Sequence, residues 1–174
     1  MLDLTNIQST MVKQKMVKKY SASMEDYLEA IANLHGDGKV VKVRQISRAL
    51  NVKMPSVSAA LERLSEEGLV VHKKYGDIRL TPEGDKAAQD VIRRHRALSR
   101  FFGEALDINK EIAEEDACRI EHVISPITLE RMIKFIEFME ACPLGEANFP
   151  KRYRYYLEHG ELPPECLERG LGER

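Results

Sequence analysis

Three side chains capable of binding a metal follow one another at helical spacing in the segment Glu-Glu-Asp-Ala-Cys-Arg-Ile-Glu-His-Val-Ile-Ser, residues 114–125. If this segment is helical, Cys118, Glu121 and His122 stand at i, i+3 and i+4, on one face of one turn. A thiol, a carboxylate and an imidazole offer soft, hard and intermediate donors to a divalent transition metal. We therefore predict a metal ligand set here, although a polar surface stripe with one buried cysteine would fit these residues alone equally well.

The composition is typical of a soluble, helix-rich protein: 43% of the 174 residues are hydrophobic, 32% are charged and none is tryptophan. This length can hold one ordinary domain or two small ones. Residues 1–79 contain 13 Lys and Arg against 9 Asp and Glu, whereas the remainder contains 14 against 19. A basic first part and an acidic second part fit an anion-binding region followed by a cation-handling one.

The cysteines and the lack of long apolar runs predict a cytoplasmic protein. Cys118, Cys142 and Cys166 form no CxxC pair and no disulfide framework, which indicates a reducing compartment. The N-terminus is basic but lacks the apolar region of a signal peptide, and no stretch approaches the roughly 18 apolar residues of a membrane span. We expect no contact with membranes.

The first predicted helix covers residues 24–34, with Ser23 as its N-cap. Asp26 and Glu29 stand at i and i+3, away from the apolar stripe of this helix. Two acids near a helix N-terminus usually only complement the helix dipole, and they become candidate ligands if other ligands point at them. Residues 1–20 read as a basic tail that is either frayed or an arm touching DNA phosphates.

The next segment predicts a winged helix-turn-helix. Residues 43–50 and 55–67 read as two helices joined by a tight turn, and Gly68 ends the second of them. Two short strands follow, at residues 69–73 and 77–81. A helix, a turn, a helix and a β-hairpin in this order make a DNA-reading unit.

The second of these helices and the hairpin supply the candidate DNA contacts. Small and hydroxyl-bearing residues at the start of a helix allow close approach to bases and phosphates, and cations on the wing bind the phosphate backbone. The alternative is a helical hairpin whose basic rim binds protein. The candidate DNA-binding residues are Lys53, Pro55, Ser56, Ser58, Ala59, Lys73, Lys74 and Arg79.

The second half of the chain predicts a helical domain. Thr81 caps a long helix that begins at Pro82 and runs to about residue 106, and His95 lies in its basic stretch, where a histidine is more often solvated than a ligand. Two strongly apolar helices follow, at residues 111–124 and 126–142, and a weaker one at 149–159. The excess of apolar surface predicts helix-on-helix dimerisation, although packing within one subunit could use much of it.

These pieces together resemble the diphtheria toxin repressor family of metal-dependent transcriptional regulators, which includes the manganese-sensing regulators. The resemblance covers residues 23–145 and rests on several blocks in the right order. These blocks are Ser-Met-Glu-Asp-Tyr-Leu-Glu (23–29), Met-Pro-Ser-Val-Ser (54–58), Leu-Thr-Pro-Glu-Gly (80–84), Arg-His-Arg (94–96), Asp-Ile-Asn-Lys (107–110), Ala-Cys-Arg-Ile-Glu-His (117–122) and Cys-Pro-Leu-Gly (142–145).

The resemblance implies a mainly α fold, with an N-terminal winged helix-turn-helix followed by an all-helical metal-binding and dimerisation domain. The implied division is a tail at 1–20, a DNA-binding domain at 21–82, the helical domain at 83–145 and an extension at 146–174. The implied metal ligands are Asp26, Glu29, His95, Cys118, Glu121 and His122. This set is a hybrid, because its carboxylates on the first helix match the manganese sensors and its thiol matches the iron sensors.

Two departures from the iron-sensing pattern stand out. Ser99 replaces an acid and Glu114 replaces a histidine of that branch, so the ancillary metal site is expected to be altered or lost, with Glu114 as its remaining candidate ligand. The chain also resembles the short two-domain form, since no SH3-like third domain would fit after residue 145.

The function expected from these features is that of a metal-activated regulator that represses metal-uptake genes. Fe(II) is the favoured metal and Mn(II) the next, while Zn(II), Co(II) or Ni(II) would bind in vitro. The expected partners are a second copy of the chain and a palindromic operator in double-stranded DNA. One alternative is a winged-helix regulator that senses redox state through Cys118 or binds a small organic ligand. A metalloenzyme is disfavoured, because no separate acid–base pair or glycine-rich phosphate loop accompanies the metal ligands.

Overall fold

The computed structural model describes residues 20–36, 40–72, 77–141, 149–164 and 166, and most of them are helical. This confirms the mainly α class. None of the described helices is both long enough and apolar enough to cross a membrane. The elements, in chain order, are α1 (Ala22–His35), α2 (Val43–Ala49), α3 (Met54–Glu66), β1 (Val70–His72), β2 (Ile78–Leu80), α4 (Pro82–Arg100), α5 (Lys110–Ile120), α6 (Pro126–Ala141) and α7 (Phe149–His159).

The segment from α2 to β2 forms the predicted winged helix-turn-helix. The turn between α2 and α3 passes through Asn51 at a φ of 51°, and the Ser47 hydroxyl donates to the Val52 carbonyl at 2.6 Å. Gly68, at a φ of 71°, allows the chain to leave α3 and enter β1. β1 and β2 pair antiparallel, with Val70 opposite Leu80. The hairpin turn, which contains Lys73 and Lys74, lies outside the described residues.

One core packs α1 against α2, α3 and the hairpin. Because α1 contributes Leu28 and Ile31 to the same core as Leu61 of α3, a force that moves α1 also acts on α3. Leu50 and Val52 pack against this core and are partly buried. The buried members of this core are Tyr27, Leu28, Ile31, Val41, Ile46, Val57, Leu61, Leu64, Leu69, Val70, Ile78 and Ala88.

Several predicted boundaries in the first half were wrong. α1 begins earlier than expected, because the side chain of Ser21, and not that of Ser23, accepts the bond from the Met24 amide at 3.4 Å. β1 begins one residue later than predicted, and β2 is one residue shorter at each end. Leu69 and Thr81 still bond to each other, but the Leu69 amide bonds to the Leu64 carbonyl of α3 at 2.8 Å, and Thr81 is the N-cap of α4.

α4 is the long helix that the sequence predicted, capped by Thr81, whose hydroxyl accepts from the Gly84 amide at 3.0 Å. It packs against α1 on one side and α5 on the other, so it joins the two halves of the molecule. The helical structure continues to residue 106, as predicted, but Phe101–Ala105 widens into a π-helical turn.

α5 stops before the end of the predicted helix, at Ile120. The amides of Val123 and Ile124 both bond to the Ile120 carbonyl, at 2.9 and 3.0 Å, and this closes a tight turn. Glu121 and His122 therefore lie in the turn after α5, although Glu121 keeps helical backbone angles and its amide bonds to the Ala117 carbonyl at 2.9 Å.

α6 presents apolar residues on two sides. Leu129 and Ile136 are buried, and Leu129 packs with Leu98 and Ala117 into a second, smaller core. Phe135 and Phe138 are exposed on the other side, where the sequence predicted a dimer contact. α7 has the predicted bounds, whereas Cys142 lies outside the described residues.

Gly84, in the first turn of α4, is required by a close approach between helix and strand. A Cβ at this position would lie 1.9 Å from the Leu69 carbonyl oxygen, so α4 would have to move away from the hairpin. We expect Gly84→Ala to lower the free energy of unfolding by about 1–3 kcal/mol, the usual cost of overpacking. Urea denaturation followed by circular dichroism measures this change.

The matched control is Gly36→Ala at the end of α1. There φ is −50° and the nearest atom to an added Cβ, the Asn33 carbonyl oxygen, is 3.5 Å away, so the substitution should leave stability within about 1 kcal/mol of the parent. Equal stability of Gly84→Ala and the parent would show that the helix tolerates the displacement.

Candidate metal centre

A polar centre lies where α1, α4 and the end of α5 meet. Asp26, Glu121 and His122 each direct one potential ligand atom into it, and these atoms all lie within 4.8 Å of one another. The Nε2 atom of His122 is 2.9 Å from Asp26 Oδ1 and 3.3 Å from Glu121 Oε1. One carboxylate comes from the first helix, and the other two groups follow α5, so the centre joins residues far apart in the chain.

Glu121 is the most buried member, with 1% of its surface exposed. Burial, followed by repulsion from Glu29, raises the pKa of the Glu121 carboxyl to about 7. Within the described part of the chain, Glu121 Oε1 is buried without a hydrogen-bond partner. A buried carboxylate oxygen with no donor, beside an imidazole nitrogen and a second carboxylate, fits a divalent cation both in charge and in donor type.

His95 of α4 lies beside this group and contacts two acids. Its Nδ1 is 2.8 Å from Glu121 Oε2, and its Nε2 is 2.7 Å from Glu114 Oε2. Burial lowers the pKa of His95, but the bond to Glu114 and the charge of Glu121 more than compensate, so the net effect raises it. Bonds from His95 and from Ser99, whose hydroxyl donates to Glu114 at 2.8 Å, lower the pKa of Glu114. Glu114 thus occupies the Nε2 side of His95 and leaves Nδ1 facing the centre.

Glu29 and Cys118 lie at the edge of the centre. Glu29 is half-buried on α1 and lines a cleft of about 460 Å³ together with His95 and Glu114. Cys118 is an exposed residue of α5. Partial shielding of its thiol from water, followed by the charges of Glu121, Asp26 and Glu29, raises the pKa of Cys118.

Glu25 and Arg94 belong to the centre but are absent from the residues predicted from the sequence. Glu25, next to Asp26, is 6% exposed and accepts hydrogen bonds from Arg94 and from His122 Nδ1, both at 2.7 Å. The sequence treats it as an ordinary acid of the first helical turn. Its spacing of three residues from the buried Leu28 was the available signal, since an acid on an apolar face needs a partner.

Most of the predicted DNA-contacting residues that the structure describes are exposed. Lys53, Pro55, Ser56 and Ala59 are exposed at the start of α3, whereas Ser58 is half-buried. Arg79 on β2 has 68% of its side chain exposed, and its guanidinium is 3.6 Å from Asp77. The start of α3 is therefore open to a ligand, and the wing carries an exposed cation.

The fold and the site together define a class of protein. A winged helix-turn-helix is a DNA-reading unit, and α1, which packs on it, shares a charged centre with the helices of the second half of the chain. This arrangement is typical of a DNA-binding regulator whose activity depends on a small ligand or ion.

Comparison with known families identifies the group within that class. Residues 14–78 match the family model described as iron dependent repressor, N-terminal DNA binding domain, and residues 81–150 match iron dependent repressor, metal binding and dimerisation domain. The chain belongs to the iron-dependent repressor family, as the sequence blocks predicted. It is a metal-responsive, DNA-binding transcriptional regulator with a dimerisation domain.

Individual relatives agree with this assignment. The chain is 31% identical to the HTH-type transcriptional regulator MntR of Lysinibacillus sphaericus over 70% of its own length and 86% of that protein. It is 33% identical to the diphtheria toxin repressor of Corynebacterium diphtheriae over 70% of its length, but spans only 54% of that protein. The solved structure of the manganese regulator SloR superimposes with a TM-score of 0.60 at 31% identity, covering 69% of this chain and 56% of SloR.

Because its carboxylate is buried, replacing Glu121 with Gln should preserve or increase stability without metal and should remove the stabilisation by metal. Glu121→Gln removes a charge that burial and Glu29 both disfavour, so the metal-free variant should be as stable as the parent or more stable. It should also lose metal stabilisation, which for the parent amounts to about 2.7 kcal/mol at a metal concentration of a hundred times Kd. Thermal unfolding in chelator and in Zn(II) or Mn(II) measures both effects.

Glu115→Gln is the control, because Glu115 is an exposed acid of α5 that pairs with Arg119 and does not contact the centre. It should retain the full response to metal. A Glu121→Gln variant that metal stabilises as strongly as it stabilises the parent would exclude Glu121 as a ligand.

Proposed function

We propose that this chain is a metal-activated repressor of metal-uptake genes, with Fe(II) as the favoured activator and Mn(II) as the next. The observation that carries the proposal is the 2.9 Å approach of His122, beyond α5, to Asp26 of α1. An acid of the DNA-binding domain and an imidazole of the other domain thereby share one centre. We assign a cytoplasmic location and the domain limits 21–82 and 83–145 as part of the same proposal.

The proposed ligands come from three elements. A bound divalent cation supplies the positive charge that the carboxylates of the centre lack. Asp26 and Glu121 then no longer repel each other across the junction, so α1 is held against the end of α5. The full proposed set is Asp26, Glu29, His95, Cys118, Glu121 and His122, with Glu114 as a candidate ligand of an ancillary site.

Fixing α1 also fixes the DNA-reading unit, because α1 and α3 share one core. In a homodimer, two α3 helices held at a constant separation can enter successive major grooves on one face of the duplex. A two-fold dimer reads a palindromic operator for this reason. The proposed contacts to DNA are Lys53, Pro55, Ser56, Ser58, Ala59, Lys73, Lys74 and Arg79.

The choice of metal depends on competing donors. Asp26 and Glu29 are hard oxygen donors that suit Mn(II), whereas the thiolate of Cys118 favours softer or later metals. We weigh the thiolate more heavily and therefore place Fe(II) first. Zn(II), Co(II) and Ni(II) should bind in vitro without being the physiological signal.

The raised pKa of Cys118 weighs against an oxidant sensor. Thiolate is the form that oxidants attack, and partial burial, followed by the charges of the surrounding acids, raises the pKa of Cys118 and favours the thiol.

Metal-dependent DNA binding is the direct test. Duplexes recovered from a randomised pool in the presence of Fe(II) should contain a palindrome, and anaerobic titration should show that Fe(II) and Mn(II) each increase affinity for it. Ser56→Tyr should abolish preference for the palindrome by blocking the approach of α3 to the bases. Arg79→Ala should weaken binding to all sequences and reduce the salt dependence by about one phosphate contact.

Fluorescence anisotropy over a range of salt concentrations separates these two effects. Affinity for the recovered duplex that is the same in chelator and in every metal would contradict the proposal.

If the thiol of Cys118 is a ligand, replacing Cys118 with a carboxylate should change which metal activates the protein. Cys118→Glu replaces the soft donor with a hard one, so activation of DNA binding should require about tenfold less Mn(II) and more Fe(II) than in the parent, a change of roughly 1.4 kcal/mol in each direction. Half-activating metal concentrations, measured anaerobically, give the result. Cys166→Ser, which changes the other described cysteine, should retain the parent's preference. An unchanged order of metals in Cys118→Glu would show that Cys118 is not a ligand.

A further inference from the structure

A buried ion cluster lies directly behind the proposed ligands and outside the ligand set. It consists of Glu25 on α1, Arg94 on α4 and His122 after α5. The exposed fractions of the side chains are 7%, 22% and 9%. Glu25 Oε2 is 2.7 Å from an Arg94 guanidinium nitrogen and 2.7 Å from His122 Nδ1.

The hydrogen bonds of this cluster determine which ring nitrogen of His122 is free to bind a metal. A carboxylate paired with a guanidinium can only accept hydrogen bonds, so His122 Nδ1 must carry the proton and donate it to Glu25. The other ring nitrogen, Nε2, is then left to face Asp26 and Glu121, at 2.9 and 3.3 Å. A histidine ligand commonly donates its second N–H to a carboxylate, which fixes its tautomer and increases its basicity.

We propose that Glu25 is a positioning residue of the metal centre: it holds His122 as the Nδ1–H tautomer with Nε2 directed at the ligand site, while Arg94 fixes the carboxylate. This inference rests on the proposed role of His122 as a ligand. It also assigns Glu25 a part in the metal response, because the hydrogen bond from His122 reaches α1 one residue before Asp26. A bound cation withdraws electron density from the imidazole and so strengthens the Nδ1–H bond to α1.

A purely structural ion pair between α1 and α4 is the competing interpretation. It would need Glu25 and Arg94 but not the ring of His122. Arg94 Nε is buried without a hydrogen-bond partner in the described part of the chain, so the guanidinium does not make all of its possible hydrogen bonds here. The two interpretations differ in what they predict for the imidazole.

Glu25→Gln is the decisive variant, because it is nearly isosteric but replaces the carboxylate with a neutral acceptor. Arg94 and His122 both bond to Oε2, so the amide oxygen of Gln can take the same place, but it accepts more weakly than a carboxylate and holds the Nδ1–H less firmly. We expect the dissociation constant for Zn(II) to rise about 10- to 100-fold, the usual effect of mutating such a partner. The probes are Zn(II) alone, measured by competition with a chelating dye, and Co(II), whose visible spectrum reports ligand geometry.

The tautomer of His122 provides a readout that a structural role would not change. In the Zn(II)-loaded parent, ¹⁵N-resolved NMR should show a downfield Nδ1 proton of His122 that exchanges slowly with water. In Glu25→Gln this resonance should move upfield or be lost through exchange, and the Co(II) spectrum should change. Glu115→Gln, which removes an acid of α5 that does not contact His122, should match the parent in both measurements.

Two further variants separate the outcomes. Arg94→Gln breaks the ion pair but leaves the bond between Glu25 and His122, so it should weaken Zn(II) binding less than Glu25→Gln does. If both variants weakened binding equally and the His122 resonance stayed in place, Glu25 would be only structural and the inference would be overturned. If His122→Ala bound Zn(II) as tightly as the parent, the proposed centre itself would be wrong and the role of Glu25 would fall with it.

Discussion

Repulsion among carboxylates at the junction of the two domains is the interaction on which the structure depends. Glu121 is buried there with Asp26 and Glu29 close by, and burial and the charge of Glu29 raise its pKa to about 7. His95 and His122 only partly offset this charge, since one oxygen of Glu121 has no donor in the described part of the chain. A centre of this kind is costly in the metal-free protein and becomes favourable only with an added cation.

Apolar cores stabilise the two sides of the junction, whereas charged contacts form the junction itself. Two apolar cores, one in the winged helix-turn-helix and one between α4 and the helices that follow it, give each side its own rigidity. α1 packs on Ala88 of α4 within the first core, and it meets Arg94 of α4 and His122 after α5 through charged groups. Apolar packing is insensitive to ions, whereas the electrostatic energy between like-charged groups becomes favourable when a cation binds between them. The polar junction is therefore the part of the fold that a cation can control, and α1 transmits that control because it belongs to both the centre and the DNA-reading core.

The sequence predicted the order and type of the elements well, because apolar periodicity, glycine and proline report local structure directly. It failed where a tertiary contact decides the outcome. The spacing of Cys118, Glu121 and His122 implied one continuous helix, yet α5 ends at Ile120, and Glu121 and His122 lie in the turn that follows it. Glu25 was missed because its partners lie 69 and 97 residues away, a distance that no local pattern encodes. Ser21, and not Ser23, is the N-cap of α1, because two serines two residues apart can each cap the helix and the sequence does not distinguish them.

Hydrogen–deuterium exchange across α1 tests the central claim most directly, namely that a divalent cation joins the first helix to the end of α5. Amide exchange reports the local opening of a helix, and a helix held at both of its faces opens less often. Addition of Zn(II) or Mn(II) to the metal-free protein should slow exchange in residues 22–35, and Glu121→Gln should abolish that slowing. Exchange in α1 that is the same with and without metal, in a protein that has bound the ion, would contradict the claim.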